Sequence, residues 1–128
     1  MIHKVEMDWG GRTLSLETGK IAGRSNGAVW ARYADTIVLV TACRSHRAGD
    51  RDFLPLTVEY REKAYAAGRI PGNFFRRETR MGEKETLAAR LTDHMIRPMF
   101  PKAYRHEVQV FISILSSDGE NDADVLGM

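Results

Sequence analysis

Alternating apolar and polar positions in the N-terminal third of the chain predict four β-strands. The alternation over residues 3–18 is interrupted by Gly10 and Gly11, which indicates a hairpin of two half-buried strands joined by a tight turn. Two more strands are predicted over residues 28–33 and 36–43. The latter is β-branched and almost continuously apolar, so we expect it to be covered on both faces.

The second half of the chain predicts a strand, a helix and another strand. A polar stretch over residues 44–52 is predicted to be an exposed loop, and strand character resumes over residues 55–60. The strongest helical periodicity spans residues 82–97, and Pro98 is expected to end that helix. A further buried strand is predicted over residues 107–115.

The last residues predict a turn and a short helix that begins at Ala123, with Asp122 as its cap. A domain rarely ends one turn into a capped helix, so we expect residues 1–128 to be one incomplete domain of a longer protein. Together these elements predict a β-rich α/β (α+β) fold.

The predicted helix over residues 82–97 has two distinct faces. Four large apolar side chains recur every four residues and are predicted to form its buried stripe: Leu87, Leu91, Met95 and Met99. Charged or titratable side chains share its polar face: Arg90, Asp93, His94 and Arg97. This polar face is either a solvated ladder of ion pairs or a row of arginines aimed at phosphate and oriented by Asp93.

Positive charge is concentrated in one segment of the chain. The whole chain has a formal net charge of +2, yet residues 61–105 contain 11 Lys and Arg against 5 Asp and Glu. This excess indicates either an anionic partner or a solvated basic face without a ligand.

The basic segment contains a stretch that suits unpaired nucleic acid. Gly68, Pro71 and Gly72 interrupt regular structure. Two aromatic rings and three arginines then follow within seven residues: Phe74, Phe75, Arg76, Arg77 and Arg80. Bases can stack on the rings while the guanidinium groups pair with phosphates.

The residues alone show no self-contained catalytic constellation. The chain has no phosphate-binding Gly-Lys-Ser/Thr loop and its four histidines lack metal-ligand spacing, so we assign no catalytic or metal-binding residue. Alternating carboxylates over residues 118–124 are explained more simply by a turn and a helix cap than by a divalent ion. The single cysteine, Cys43, excludes an internal disulfide and is predicted to be a buried, inert thiol.

No apolar run approaches the roughly 18 residues that a membrane-spanning helix needs. The N-terminus also lacks the apolar region of a secretory signal. These features predict a cytoplasmic protein without a membrane partner.

The chain resembles the first core domain of the bacterial polynucleotide phosphorylases over nearly its whole length. Runs in the family's order and spacing carry the resemblance, among them Tyr65-Ala66-Ala67-Gly68-Arg69-Ile70-Pro71-Gly72, Phe74-Phe75-Arg76-Arg77-Glu78 and Ile96-Arg97-Pro98-Met99-Phe100-Pro101. Two segments depart from the family pattern. Asp93-His94-Met95 stands where the family usually has Asp-Arg-Pro, and Glu78-Thr79-Arg80 stands where it usually has Glu-Gly-Arg.

This resemblance implies a ribonuclease PH-like fold in which a mixed sheet packs against helices. It also implies a longer protein with a second core domain and further RNA-binding domains, assembled as a homotrimeric ring. The implied activity is that of a polyribonucleotide nucleotidyltransferase, a phosphate-dependent 3′-to-5′ exoribonuclease that releases nucleoside diphosphates and acts in mRNA degradation. Inorganic phosphate would be its co-substrate, Mg²⁺ its cofactor, bound outside this chain, and other RNA-degradation proteins its partners.

The resemblance further implies which residues contact single-stranded RNA. The loop containing Phe74, Phe75, Arg76 and Arg77 would line the pore of the ring, and the other predicted RNA contacts are Arg80, Arg90 and Arg97. The phosphorolytic site is expected mainly in the second core domain, so this chain alone should be inactive.

Two alternative functions remain open at this point. The first is a non-catalytic RNA-binding or ring-scaffold subunit of the same fold. The second is a stand-alone ribonuclease PH that trims tRNA, which the Phe-Phe-Arg-Arg loop disfavours.

Overall fold

One mixed sheet carries most of the described structure. The computed structural model describes residues 1–72, 78 and 80–128, and within them six strands form a sheet in the order β1-β2-β3-β4-β6-β5. The strands are β1 (His3–Trp9), β2 (Arg12–Thr18), β3 (Gly27–Tyr33), β4 (Thr36–Ala48), β5 (Leu56–Arg61) and β6 (His106–Ser116). The helices are α1 (Glu83–Ile96) and α2 (Ala123–Gly127), with 3₁₀ helices at Ala64–Ala67 and Arg97–Met99. None of the helices described is long and apolar enough to cross a bilayer.

The first four strands form an antiparallel meander, as the alternating pattern predicts. Gly10 and Gly11 have φ angles of 60° and 79°, the left-handed values that a tight hairpin turn requires, and they join β1 to β2. Ala34, with a φ angle of 51°, lies in the turn between β3 and β4. The predicted hairpin over residues 3–18 is therefore confirmed, but the prediction that both of its strands are half-buried is wrong. All seven residues of β1 are exposed, because this strand lies at the edge of the sheet.

The second half of the chain forms a parallel crossover. β5 pairs with β6 in parallel, and α1 lies in the connection between them. Parallel neighbours need such a long connection because the chain has to return from the end of the first strand to the start of the second, which a short turn cannot do. β6 also pairs with β4 in antiparallel fashion, so the sheet is mixed and the predicted fold class is confirmed.

The core lies on the face of the sheet that α1 and α2 cover. Val38, Tyr60, Ile112 and Ile114 are almost completely buried. They share one face because Val38 pairs with Ile114 and Tyr60 pairs with Ile112, and side chains alternate between faces along a strand. The helical layer is therefore held to the sheet by a contiguous apolar cluster.

Helix α1 buries its small residues, and the predicted buried stripe is wrong. Ala88, Ala89 and Thr92 face the sheet, whereas four predicted core residues are exposed by half or more: Leu87 (65%), Leu91 (50%), Met95 (58%) and Met99 (81%). Small side chains let the helix axis lie close to β5, whose own bulky residues already fill the space between the layers. The bounds Glu83–Ile96 and the end before Pro98 agree with the prediction.

Strand β4 differs from the prediction in length and in burial. It continues to Ala48, so part of the predicted loop over residues 44–52 is a strand that pairs with His106. The side-chain hydroxyl of Ser45 accepts a hydrogen bond from the Glu107 N–H at 3.0 Å, which secures this polar extension. The face of β4 away from the helices carries no covering layer in the described chain, and Cys43 is exposed there rather than buried.

Helix α2 approaches the sheet closely at its C-terminal end. A β-carbon added to Gly127 would lie 2.7 Å from Cγ2 of Ile112, so only glycine allows this separation. Asp122 occupies the N-cap position as predicted, but its side chain makes no capping hydrogen bond. Contact with β3 and β4 and the close approach to Ile112, rather than a side-chain cap, therefore hold this five-residue helix.

The two helices leave the β1–β3 end of the apolar face open. A cavity of about 600 Å³ lies there between α2 and the sheet, and its walls include Trp9, Leu16, Val29 and Tyr33. Most of the lining is aliphatic or aromatic, and its polar part comes from Thr36 and from residues 120–122.

Truncating one buried side chain of the sheet and one exposed side chain of α1 should test the burial described for this helix. Ile112→Ala should lower the free energy of unfolding of the chain by about 2–5 kcal/mol, because it leaves a cavity in a filled core. Leu87→Ala should change it by less than about 0.5 kcal/mol, because that side chain is exposed. Urea denaturation followed by circular dichroism measures both values, and equal losses would contradict the burial described for α1.

Candidate functional site

A groove of about 350 Å³ runs between α1 and the edge strand β5. Val58 of β5 and Met81, just before α1, supply apolar walls. The groove side chains from α1 and from its C-cap residue, Arg97, are mostly polar: Thr86, Ala89, Arg90, Asp93, His94 and Arg97. The structure thus brings Arg90 and Arg97, two of the predicted RNA contacts, to one surface.

Arg97 is held in place by a network of three hydrogen bonds. Its Nε and Nη2 atoms donate to the two carboxylate oxygens of Asp93 at 2.7 and 2.8 Å, a bidentate pair one helical turn apart. Its Nη1 atom donates to the backbone carbonyl of Leu54 at 3.1 Å, in the segment before β5. The Asp93 hydrogen bond is the main cause that raises the pKa of Arg97, so this side chain stays charged and oriented.

Arg90 and His94 lie one helical turn apart and are exposed. Neither has an ion-pair partner within the part of the chain that the structure describes. Arg80 is also exposed, before the start of α1, and does not line the groove. The predicted contacts Phe74, Phe75, Arg76 and Arg77 lie outside the described residues.

Glu78 ties the end of the predicted RNA-binding stretch to residues that precede it. Its carboxylate accepts a hydrogen bond from the Ala64 N–H at 2.5 Å. Its backbone carbonyl accepts a second one from the Lys63 ammonium group at 2.8 Å. Residues separated by the whole stretch are therefore brought together, a contact that the sequence pattern did not reveal.

Glu85 makes a similar connection at the start of α1. One carboxylate oxygen accepts from the Gly82 N–H at 2.6 Å and the other from the Glu62 N–H at 2.8 Å. A glutamate at the third helical position often accepts a hydrogen bond from the N-cap amide, so the bond from Gly82 could be predicted from the sequence. The bond from Glu62 could not be predicted, because it depends on how α1 lies against the end of β5.

Glu62 links this corner to the core. Its carboxylate accepts a hydrogen bond from the Tyr60 hydroxyl at 2.8 Å and forms an ion pair with Lys84 at 3.2 Å. Burial, followed by the bond to the Glu62 carboxylate, raises the pKa of the Tyr60 phenol far above its ordinary value. Tyr60 therefore acts as a neutral donor, and the N-terminal end of α1 is joined to the sheet by polar as well as apolar contacts.

The carboxylates over residues 118–124 belong to a turn. Asp118 accepts hydrogen bonds from the Glu120 and Asn121 N–H groups, both at 2.9 Å, and from the Asn121 side chain at 2.5 Å. The Asn121 N–H contributes most to holding the pKa of Asp118 well below its ordinary value, with partial burial opposing it. Across residues 1–72, 78 and 80–128, no group of three His, Cys, Asp or Glu side chains could hold a metal, so the described residues do not fit a Mg²⁺ site.

Comparisons with known proteins point to one family. The model of the 3′ exoribonuclease family, domain 1, matches residues 10–127. A polyribonucleotide nucleotidyltransferase of Rhodopseudomonas palustris (strain TIE-1) is 60% identical over 99% of this chain, and one of Bradyrhizobium sp. (strain BTAi1) is 61% identical over 98%. The chain spans only 18% of the length of each.

A solved structure supports the fold. The crystal structure of rice (Oryza sativa) Rrp46 superposes with a TM-score of 0.53, covering 84% of this chain and 47% of that one. Sequence identity is 14%, so this likeness concerns the fold alone.

Because the pKa of Asp118 is lowered in the folded state, the free energy of unfolding should decrease in acid. A carboxylate whose pKa is depressed in the folded state contributes stability above its ordinary value of 3.8, and this contribution is lost as the pH falls below that value. Asp118→Asn should therefore lower the free energy of unfolding by about 1–3 kcal/mol at neutral pH. Urea denaturation at neutral pH and at about pH 3 should show the difference narrowing in acid, and a constant difference would contradict the assignment.

Proposed function

The chain belongs to the 3′ exoribonuclease family, and from this premise we propose that it is part of an enzyme that degrades RNA from the 3′ end by phosphorolysis. Inorganic phosphate would attack the terminal phosphodiester bond and release a nucleoside diphosphate. The observation that carries the proposal is the identity of about 60% to polyribonucleotide nucleotidyltransferases over nearly the whole chain. We further propose mRNA as a substrate class and the cytoplasm as the site of action.

The role proposed for this chain is capture of single-stranded RNA. Arg80 and Arg90 are exposed and Arg97 is oriented toward the groove, which suits contact with the phosphate backbone. The loop with Phe74, Phe75, Arg76 and Arg77 would add base stacking and further phosphate contacts at the pore of a homotrimeric ring. Other RNA-degradation proteins would then bind the assembled ring.

The chemistry asked of these residues is positioning and charge neutralisation. Phosphoryl transfer needs no side-chain nucleophile when phosphate itself attacks, so the protein contributes by orienting RNA and by stabilising negative charge. A bound Mg²⁺ ion would add charge neutralisation, and we propose that residues beyond this chain hold it. Arg97 fits the positioning role because Asp93 and the Leu54 carbonyl fix its guanidinium plane.

A second candidate is a non-catalytic RNA-binding or scaffold subunit of the same fold. Both candidates agree with the finding that no group of three His, Cys, Asp or Glu side chains among the described residues could hold a metal. The two candidates differ in what a longer protein containing this chain would do with RNA and phosphate.

Product analysis separates the two candidates. The full-length protein should release nucleoside diphosphates from single-stranded RNA only when phosphate and Mg²⁺ are present, and residues 1–128 alone should release none. Thin-layer chromatography of end-labelled RNA digests measures both reactions. RNA binding by the full-length protein without phosphate-dependent products would favour the scaffold, whereas activity of residues 1–128 would contradict the assignment of chemistry to another domain.

Replacing the basic-aromatic loop should weaken RNA binding. The triple variant Phe75→Ala, Arg76→Ala, Arg77→Ala should lose about 1–3 kcal/mol for each lost stacking contact, and its affinity should depend less steeply on salt. Fluorescence anisotropy with labelled single-stranded RNA measures both quantities in the full-length protein.

Arg32→Ala is the matched control for the triple variant. Arg32 is an exposed arginine on the face of the sheet away from the helices, where it pairs with Asp35 at 3.5 Å. Its loss should leave the affinity and the salt slope unchanged. If the triple variant behaved like this control, the loop would not be an RNA contact.

A further inference from the structure

The residues on either side of the basic-aromatic loop (residues 70–77) are both bonded to Ala64. The backbone carbonyl of Ala64 accepts a hydrogen bond from the Arg69 N–H, just before the loop, at 2.9 Å. The Ala64 N–H donates to Oε1 of Glu78, just after the loop, at 2.5 Å. Lys63 adds a second bond on that side, because its ammonium group donates to the Glu78 backbone carbonyl at 2.8 Å. The chain therefore leaves for the loop and returns from it at one point.

The 3₁₀ helix Ala64–Ala67, which begins at this point, is itself fixed to the sheet. Ala66 is buried, and its backbone carbonyl accepts a hydrogen bond from the Ser117 N–H, just after β6, at 2.9 Å. On the other side, the Glu62 N–H donates to the carboxylate of Glu85 in α1 at 2.8 Å. The loop therefore returns to a support that belongs to the folded core.

Burial does little to order the first part of the loop. Residues 68–72 are all exposed, and Ile70 keeps 92% of its surface accessible. Hydrogen bonds at the two ends therefore have to limit the conformational freedom of the chain between them. Without the Glu78 carboxylate, the arginines that precede it would sample more conformations.

We propose that Glu78 is a positioning residue for RNA binding. Its carboxylate fixes the return of the basic-aromatic loop on Ala64 and so orders the stacking and phosphate contacts of the loop before RNA binds. A segment that is ordered in advance loses less conformational entropy on binding, which strengthens binding without a new contact. Glu78 acts through the loop and not on RNA directly, because its charge repels phosphate. This inference rests on the proposed contact between the loop and single-stranded RNA.

The sign of the charge change separates positioning from electrostatics. Glu78→Leu removes a negative charge, which by itself would tighten RNA binding. It also removes the acceptor for the Ala64 N–H, so binding should instead weaken by about tenfold, the effect of losing one hydrogen bond to a charged group. Glu78→Gln removes the same charge but keeps a side-chain oxygen of the same reach, so it should bind RNA at least as tightly as the unaltered protein. Fluorescence anisotropy with labelled single-stranded RNA and the full-length protein measures these affinities.

Glu107→Leu is the matched control for the charge. Glu107 is exposed at the start of β6, where its carboxylate accepts a hydrogen bond from the Gln109 side chain at 3.2 Å. Its loss should not weaken RNA binding. Glu78→Asp keeps the charge but is one methylene shorter, so it should also weaken binding, and it tests the proposal even if the leucine variant does not fold.

Combination with the triple variant Phe75→Ala, Arg76→Ala, Arg77→Ala tests whether Glu78 acts through the loop. Adding Glu78→Leu to the triple variant should cost no further affinity, because the contacts that Glu78 positions are already absent. A general loss of stability would instead lower the affinity by the same factor with and without the triple substitution. In phosphorolysis assays, Glu78→Leu should raise the KM for RNA and leave kcat and the KM for phosphate unchanged.

The outcomes separate this inference from the proposed function. If the triple variant bound RNA more weakly but Glu78→Leu did not, the role of Glu78 would be wrong and the proposed RNA contact would stand. Equal losses with and without the triple substitution, or equal losses in Glu78→Gln and Glu78→Leu, would also overturn that role. A triple variant with unaltered affinity would overturn the RNA contact of the loop and this inference with it.

Discussion

The pairing of β6 with a strand on each side is the constraint on which the described structure depends. β4 is antiparallel to β6 and β5 is parallel to it, so the sheet can form only if the chain crosses over between β5 and β6. Helix α1 occupies this crossover and has to lie on the apolar face that Ile112 and Tyr60 fill. The groove follows directly, because it is the space between α1 and the edge strand β5.

The strands and the long helix could be predicted because their signals are local. Alternation identified the hairpin around Gly10 and Gly11, and Pro98 marked the end of α1. Which side of α1 is buried could not be predicted in the same way, since both sides repeat with helical spacing. Large apolar residues are usually the buried ones, but here the close approach of α1 to β5 selects the alanines. Exposed Cys43 was missed for a related reason, because an apolar run does not reveal which face is covered.

In the candidate site, too, the local arrangement could be predicted from the sequence and the tertiary contacts could not. Helical periodicity placed Arg90, Asp93 and Arg97 on one face, and the structure confirms that they share the groove. The bond from Arg97 to the Leu54 carbonyl could not be predicted, because it joins residues far apart in the sequence. The same is true of Glu78, whose bonds to residues 63 and 64 depend on where the chain returns after the predicted loop.

In the groove, the pairing of Asp93 with Arg97 lowers the net positive charge and fixes the orientation of the Arg97 side chain. An unpaired arginine would contribute a full positive charge, but its long side chain would lose rotamer freedom on binding a phosphate. Asp93 removes that freedom in advance and also cancels the charge, so Arg97 offers oriented donors with little long-range attraction. Attraction over distance is then left to Arg90, while direction comes from Arg97. For the RNA contact proposed above, one oriented arginine and one freely charged arginine would oppose release of the strand less than two freely charged arginines would.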